Sequence, residues 1–273
     1  MQAFVTSDTK DSLPPSHSAA QVERVVKGVV EVCDDHLAEE TPVALVYNGI
    51  SHAVMLATPD DLTDLALGFS LSEGILDRPD ELYDAEISAA CNGVEVRMEI
   101  SSRRFAALKE RRRTLAGRTG CGLCGVESLD AVARATGRTV APLRLDPALV
   151  AQALAEMQDR QPLHRLTGAV HGVAWVGRDG QVLAVREDVG RHNALDKLIG
   201  HMAKNHVDPT SGFVLTSSRA SYEMVQKTAM VGIGALAAVS APTALAVRLA
   251  QETGLTLAGF VRGERLVIYH QPL

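Results

Sequence analysis

The sequence predicts an α/β protein, with a small α+β unit at the N-terminal end and then a layered sheet with helices on its faces. Three observations carry this. From residue 171 onward, short β-branched or alanine-rich runs alternate with helical patterns. The earlier apolar runs are instead separated by tight-turn signals, as in a hairpin-built sheet. The chain has 273 residues, 46% of them hydrophobic and 22% charged, which is ordinary for a globular protein with ample core.

Taken in order, residues 1–19 are polar with Pro14-Pro15 and no apolar stretch, and they read as a disordered tail and not as a signal peptide. Ala20 to Val32 alternates valine with polar residues, as one strand would. Pro42 to Tyr47 is a second strand, ended by the turn signal Asn48-Gly49, with His52 to Leu56 as its partner. Thr58 is placed to cap a helix, with Pro59 at its first position and Asp60 and Asp61 in its first turn. Leu62, Leu65, Ala66 and Phe69 form its apolar face, and Gly74 stops it. Glu81 to Ile100 offers two strands around Asn92-Gly93, completing a domain over 20–101.

A second segment, 102–145, holds a charged helix over Ser102 to Leu115, a glycine-rich loop with two cysteines, a short helix from Ser128 to Thr136 and a connector from Arg138 to Leu145. The α/β domain, 146–273, opens with Asp146-Pro147 capping a helix to about Asp159. A hairpin follows, His171 to Val176 and Gln181 to Arg186, then a helix from Arg191 to about His206. Strands are expected at Phe213–Thr216, Leu236–Val239, Thr256–Phe260 and Arg265–Tyr269. Helices at Ser221–Gly232 and Thr243–Glu252 lie between them.

A net charge of -6 argues against a nucleic-acid binder, while leaving room for a local basic patch. No apolar run reaches the roughly 18 residues of a membrane helix, and Ala229 to Ala241 reads as buried core. Four cysteines in this length do not form a disulfide framework, so a reducing cytoplasm is expected, with Cys33 and Cys91 as inert buried thiols.

The chemistry concentrates in Thr119-Gly-Cys121-Gly-Leu-Cys124-Gly125. Such a pair serves as half of a structural metal site, as a dithiol couple or as a sulfur-bearing nucleophile. No second CxxC or HxxxH exists to complete four zinc ligands. Flanking glycines suit a loop that swings a sulfur between two places, and the basic run Lys109 to Arg113 with Arg118 favours a thiolate. Arg186-Glu-Asp188-Val-Gly-Arg191-His192-Asn-Ala194, between a strand and a helix, is the densest polar cluster, with His171 as a candidate neighbour. Thr216-Ser217-Ser218-Arg219 sets three hydroxyls and a guanidinium at a helix start, an arrangement suited to phosphate, and Ser221, Glu223 and Lys227 extend it. Phe260-Val261-Arg262-Gly263-Glu264-Arg265 places two cationic forks around a glycine. Thr216 to Arg219, Ser240-Ala-Pro242 and Val261 to Arg265 fall at the carboxyl ends of strands, where α/β sheets bind ligands. No dinucleotide or P-loop signature appears.

Together these motifs resemble the FdhD family: the CGxCG loop, REDVGRHNALDK, the Ser/Arg stretch before a helix, SAPT, the GF-x-R ending, PVALVYNG and TPDDLTDLALGFSLSEGIL. The likeness runs from about residue 20 to the end, departing slightly at Ala169 and at Thr216–Arg219. The resemblance implies a sulfur carrier required for formate dehydrogenase activity. Sulfur would pass from a cysteine desulfurase to a persulfide on Cys121, with Cys124 assisting or dispensable, and on to the molybdenum cofactor in its bis(molybdopterin guanine dinucleotide) form. It further implies a cytidine-deaminase-like fold for the C-terminal part, a homodimer, and cofactor binding at Phe260 to Arg265. The zinc signature of deaminases is absent, so deamination is not expected.

The resulting expectation is a persulfide-carrying sulfurtransferase. Its pyrophosphate and guanine ligand groups are held by helix-start N–H groups, Arg219, Arg262 and Arg265, with Ser217 and Ser218 at hand. Arg186, Asp188, Arg191 and His192 line the same cleft. Two other readings stay open: a cofactor-binding chaperone that moves no sulfur, and a thiol–disulfide oxidoreductase needing both cysteines.

Overall fold

The computed structural model describes residues 13–116 and 139–272, without the side chains of 111–116. The calls on Cys121, Cys124, Arg118, the 128–136 helix and most of the tail lie outside the described residues, as do those on the side chains of Arg111–Arg113.

Three sheets organise the chain. The first is a two-stranded hairpin, β1 (His17–Val26) and β2 (Val29–Ala38). The single strand expected over Ala20–Val32 is therefore two. Its valines continue across the turn as Val25-Val26 and Val29-Val30, which hides the reversal. The turn itself needs positive φ at two residues, Lys27 (49°) and Gly28 (84°).

The second sheet has the order β4-β3-β6-β5, from β3 (Thr41–Tyr47), β4 (Ile50–Ala57), β5 (Leu82–Ala90) and β6 (Gly93–Ile100). One of its faces buries Val43, Leu45, Val94, Val96 and Met98 against α1 (Leu62–Ser72) and Leu108 of α2 (Ser102–Ala116). Helix α1 begins later than Thr58 suggests. Asp61 is its N-cap residue, in left-handed conformation, and Thr58 is fully buried in other bonds described below.

The third sheet is the large one, in the order β12-β11-β10-β9-β7-β8. It comprises β7 (His171–Gly177), β8 (Val182–Asp188), β9 (Gly212–Thr216), β10 (Ala235–Ala238), β11 (Thr256–Arg262) and β12 (Arg265–His270). Strands β9, β10 and β11 are parallel, and β7, β8 and β12 complete the sheet by antiparallel pairing. One face packs α3 (Pro147–Asp159), through Val150, Ala153, Leu154 and Met157. A six-residue helix, α4 (Pro162–Thr167), follows α3 and has no counterpart in the sequence reading. The other face packs α5 (Arg191–Lys204), α6 (Tyr222–Met230) and α7 (Ala244–Thr253). Alanines 235, 237, 238 and 258 are fully buried, so the helices lie close against the sheet with few aromatics. The expected connector is part of this core: Val140, Leu143 and Leu145 are buried, and the Val140 N–H donates to the Thr253 carbonyl.

The two larger sheets are joined by α1 crossing α5. A Cβ on Gly68 would come within 1.7 Å of the Asp196 carbonyl oxygen, and one on Gly200 within 1.9 Å of that of Asp64. Each glycine thus lets the other helix's backbone touch it. Asp64, nearly buried, fastens the crossing by ion pairs to Arg186 (2.9 Å) and Lys204 (2.6 Å). Gly200→Ala must push the helices apart, and a loss of about 1–3 kcal/mol is expected from overpacking. A lowered urea midpoint with unchanged slope is the readout, and an unchanged midpoint would contradict the close crossing.

Candidate functional site

The carboxyl ends of the parallel strands gather most of the polar segments along one edge of the large sheet. Backbone bonds continue past the strands and stitch these segments together. The Ser217 N–H donates to the Gly172 carbonyl, Ser240 N–H to Ser218, and Phe260 N–H to Ser240 (3.0, 3.4 and 3.2 Å). His171 opens β7 opposite Asp188, which closes β8, so the 186–194 cluster joins the same edge. From β8 to β11 there are four strand spacings, about 19 Å. The edge is a long strip, with a cationic group at each end.

At the β8 end Asp188 is a structural carboxylate. It is fully buried, 2.7 Å from the equally buried Lys197 ammonium. Its remaining capacity takes the N–H groups of Thr58 and Gly190 and the Asn193 amide. Lys197 in turn donates to the carbonyl of Thr58 (2.9 Å), and the Thr58 hydroxyl accepts from the Val189 N–H. The expectation that Asp188 lines a ligand cleft is therefore replaced by a role in holding the turn before α5. Arg186 is also committed, to Asp61, Asp64 and His201 on α1 and α5. Thr58 and Lys197 are key residues that the sequence pattern does not single out. Thr58 looked like a cap, and Lys197 lies at the end of a motif whose front half draws attention.

Arg191 and His192, the first residues of α5, stand differently. The Arg191 Nε is a buried atom without a hydrogen-bond partner among the described residues. His192 Nε2 lies 2.8 Å from Glu223 and 3.3 Å from the Ser221 hydroxyl at the start of α6. Donation from His192 holds the Glu223 carboxyl below the usual range. Burial, and then the Arg191 charge, pushes His171 below the ordinary imidazole value, so it is neutral at pH 7.

In the β9 segment the hydroxyls serve the loop. Ser217 Oγ accepts from the Gly172 N–H, and the buried Ser218 Oγ donates to the Arg219 carbonyl. Arg219 itself is exposed. At the β11 end Arg262 pairs in register with Arg265 across the Gly263-Glu264 turn, two like charges side by side. With Phe260, Leu266 and Val267 they line a cavity of about 360 Å³. Phe260 is 41% exposed and in left-handed conformation (φ 53°), whereas Val261 is fully buried and gives the site only backbone. Gly263 and Glu264 are exposed. Among the described residues no three or more His, Cys, Asp or Glu side chains are grouped to hold a metal ion.

Such an edge, built from basic side chains and helix starts on a mixed sheet, has the chemistry that suits an anionic ligand. Residues 38–273 match the FdhD/NarQ family, and the chain belongs to it. It is 57% identical over 266 residues to the sulfur carrier protein FdhD of Cupriavidus necator, covering 96% of this chain and 91% of the relative. The identity is again 57%, over 257 residues, to the protein of that name from Bordetella petrii, covering 93% and 92%. The same fold occurs in a crystal structure from Desulfotalea psychrophila, described as a candidate formate dehydrogenase accessory protein. That likeness has a TM-score of 0.73 and 24% identity, over 94% of this chain and 98% of the other.

Removing Asp188 would leave the Lys197 ammonium buried and unpaired. Asp188→Ala should cost about 3–5 kcal/mol in urea unfolding. Adding Lys197→Met to it should restore part of the loss. A single variant as stable as the parent would remove this pair from its proposed role.

Proposed function

We propose that this chain is a sulfur carrier for formate dehydrogenase maturation. Its Cys121 takes sulfur from a cysteine desulfurase as a persulfide and passes it to the molybdenum cofactor in its bis(molybdopterin guanine dinucleotide) form. The observation that carries the reading is the convergence of Arg191, Arg219, Arg262 and Arg265 on one sheet edge, in a chain whose sequence also holds a CGxCG loop. The names of the relatives support the same activity.

The first transfer is redox-neutral. The Cys121 thiolate attacks the outer sulfur of the desulfurase persulfide, a new S–S bond forms, and the old bond's electron pair leaves with the desulfurase cysteine. Delivery as sulfide then requires two electrons. A Cys124 thiolate supplies them if it attacks the Cys121 sulfur, closing a disulfide and releasing HS⁻. The cofactor is cargo, long and polyanionic. The strip of about 19 Å suits such a ligand, with Arg262 and Arg265 at one end and the start of α5 at the other. The pyrophosphate and guanine groups would be held along this strip. Sulfur transfer of this kind makes the chain a sulfurtransferase by mechanism. Its place would be the cytoplasm, where thiols stay reduced, and it would work as a homodimer. No helix among the described residues is long and apolar enough to cross a membrane.

Incubation with a desulfurase and cysteine, followed by intact-mass measurement under non-reducing conditions, tests the carrier step. The wild type should gain about 32 Da per sulfur, Cys121→Ala should gain none, and Cys124→Ala should still load. An unmodified wild type, or equal loading of Cys121→Ala, would overturn the reading. Loss of loading in both variants would favour a dithiol couple.

A further inference from the structure

We propose that Arg191, with the first turn of α5, forms a subsite for a phosphate or diphosphate group. The proposal rests on the reading that the sheet edge holds an anionic cofactor, and it places the phosphate contact at Arg191 and not at the Ser217 and Ser218 hydroxyls.

Four observations lead there. The Arg191 guanidinium carries a buried Nε with no partner among the described residues, and a desolvated cationic donor left unpaired is costly. Helix α5 has fourteen residues, Arg191 is its first, and its N-cap Gly190 supplies no side chain to cap the first-turn N–H groups. Asn193, the nearest candidate to cap it, is turned away and bonded to Leu56 and Asp188.

The neighbouring acids are all occupied. Asp188 is saturated by Lys197 and three further donors, Glu223 is held by His192, and Glu187 accepts from the N–H groups of Leu163 and His164. Among the described residues none of the three forms an ion pair with Arg191, although the Arg191 charge helps His192 to hold the Glu223 carboxyl low. Lastly, two imidazoles stand beside these acids. His171 experiences both Arg191 and His164 as like charges, and His192 follows Arg191 in the chain. A cationic fork, unshared N–H groups and imidazole donors match the tetrahedral oxygens of phosphate, which accept bidentate bonds from arginine.

Both a nucleotide and a free inorganic anion carry this chemistry. Calorimetric titration of the full chain at about 0.15 M salt with inorganic pyrophosphate tests the subsite, with GDP and guanosine as competitors. Wild type should bind pyrophosphate, GDP should displace it, and guanosine should not. Arg191→Gln should weaken binding about tenfold or more, the usual loss for a hydrogen bond to a charged group. Arg178→Gln, at the opposite sheet edge, should stay within about threefold. If Arg191→Gln unfolds, Arg191→Lys replaces it. That variant keeps the charge without the fork and should weaken binding measurably. Absence of pyrophosphate binding to wild type, or equal losses in the 191 and 178 variants, overturns the subsite. Pyrophosphate binding that GDP does not displace would overturn the nucleotide as its source and assign the subsite to the free anion. Sulfur loading of Cys121 is scored separately. Loading without pyrophosphate binding removes the subsite alone, and pyrophosphate binding without loading removes the carrier reading alone.

Discussion

The arrangement depends on one buried charge pair. Lys197 and Asp188 are both fully buried, and burying two ions in a protein interior costs several kcal/mol each before their attraction is counted. Here the cost is offset because the oxygens and protons find partners: the N–H groups of Thr58 and Gly190, the Asn193 amide and the carbonyl of Thr58. Those partners come from three places in the chain: the loop before α1, the end of β8, and α5. The pair thus fixes how the N-terminal unit meets the large sheet. It also fixes the Gly190 turn, and with it the direction in which α5 starts. Arg191 and His192 stand on the sheet edge because the residues on either side of them are held inside.

A second constraint acts along α5. Gly68 and Gly200 bring α1 and α5 into backbone contact, and Asp64 bridges Arg186 and Lys204 beside that crossing. One turn further along, Lys227 of α6 reaches Asp196 (2.9 Å) and the Ser72 hydroxyl, so α1, α5 and α6 share a second buried ion pair. Burial pushes the Asp196 carboxyl up while the Lys227 charge opposes that shift. Three helices tied by ion pairs leave little freedom for the helix starts at residues 191 and 222. A rigid strip of donors loses little entropy when an anion settles on it.

Much of this was legible in the sequence, and the failures have physical causes. Strand and helix alternation after residue 171 was readable because each element is short, apolar and bounded by glycine or proline. The gathering of the 186–194, 216–219 and 260–265 segments followed from strand ends in a parallel-cored sheet. What the sequence concealed is which polar residues are spent on the fold. Asp188 and Arg191 are three residues apart in one motif, yet one is saturated inside and the other has a buried Nε without a partner among the described residues. Only a tertiary contact, Thr58 against Asp188, separates them. The β1–β2 reversal was hidden for another reason: Lys27-Gly28 is a weak turn signal inside an unbroken valine pattern.

The division of labour within the chain follows from where its thiols lie. Among the described residues the cysteines are Cys33 on β2 and Cys91 at the β5–β6 turn, and neither stands on the cationic edge. Among the described residues that edge carries basic side chains and no thiol. In a carrier of the kind proposed, acquisition and delivery would be separate, because Cys121 comes from a different part of the sequence than the arginines of this edge. Such separation has a chemical advantage. A persulfide terminus is itself anionic at neutral pH, so on the proposed reading a cationic strip that draws the cofactor's phosphates would also draw the loaded sulfur. Once Cys124 has displaced the terminal sulfur, Cys121 would be held in an uncharged disulfide, and that attraction would lapse until a reductant reopens the pair.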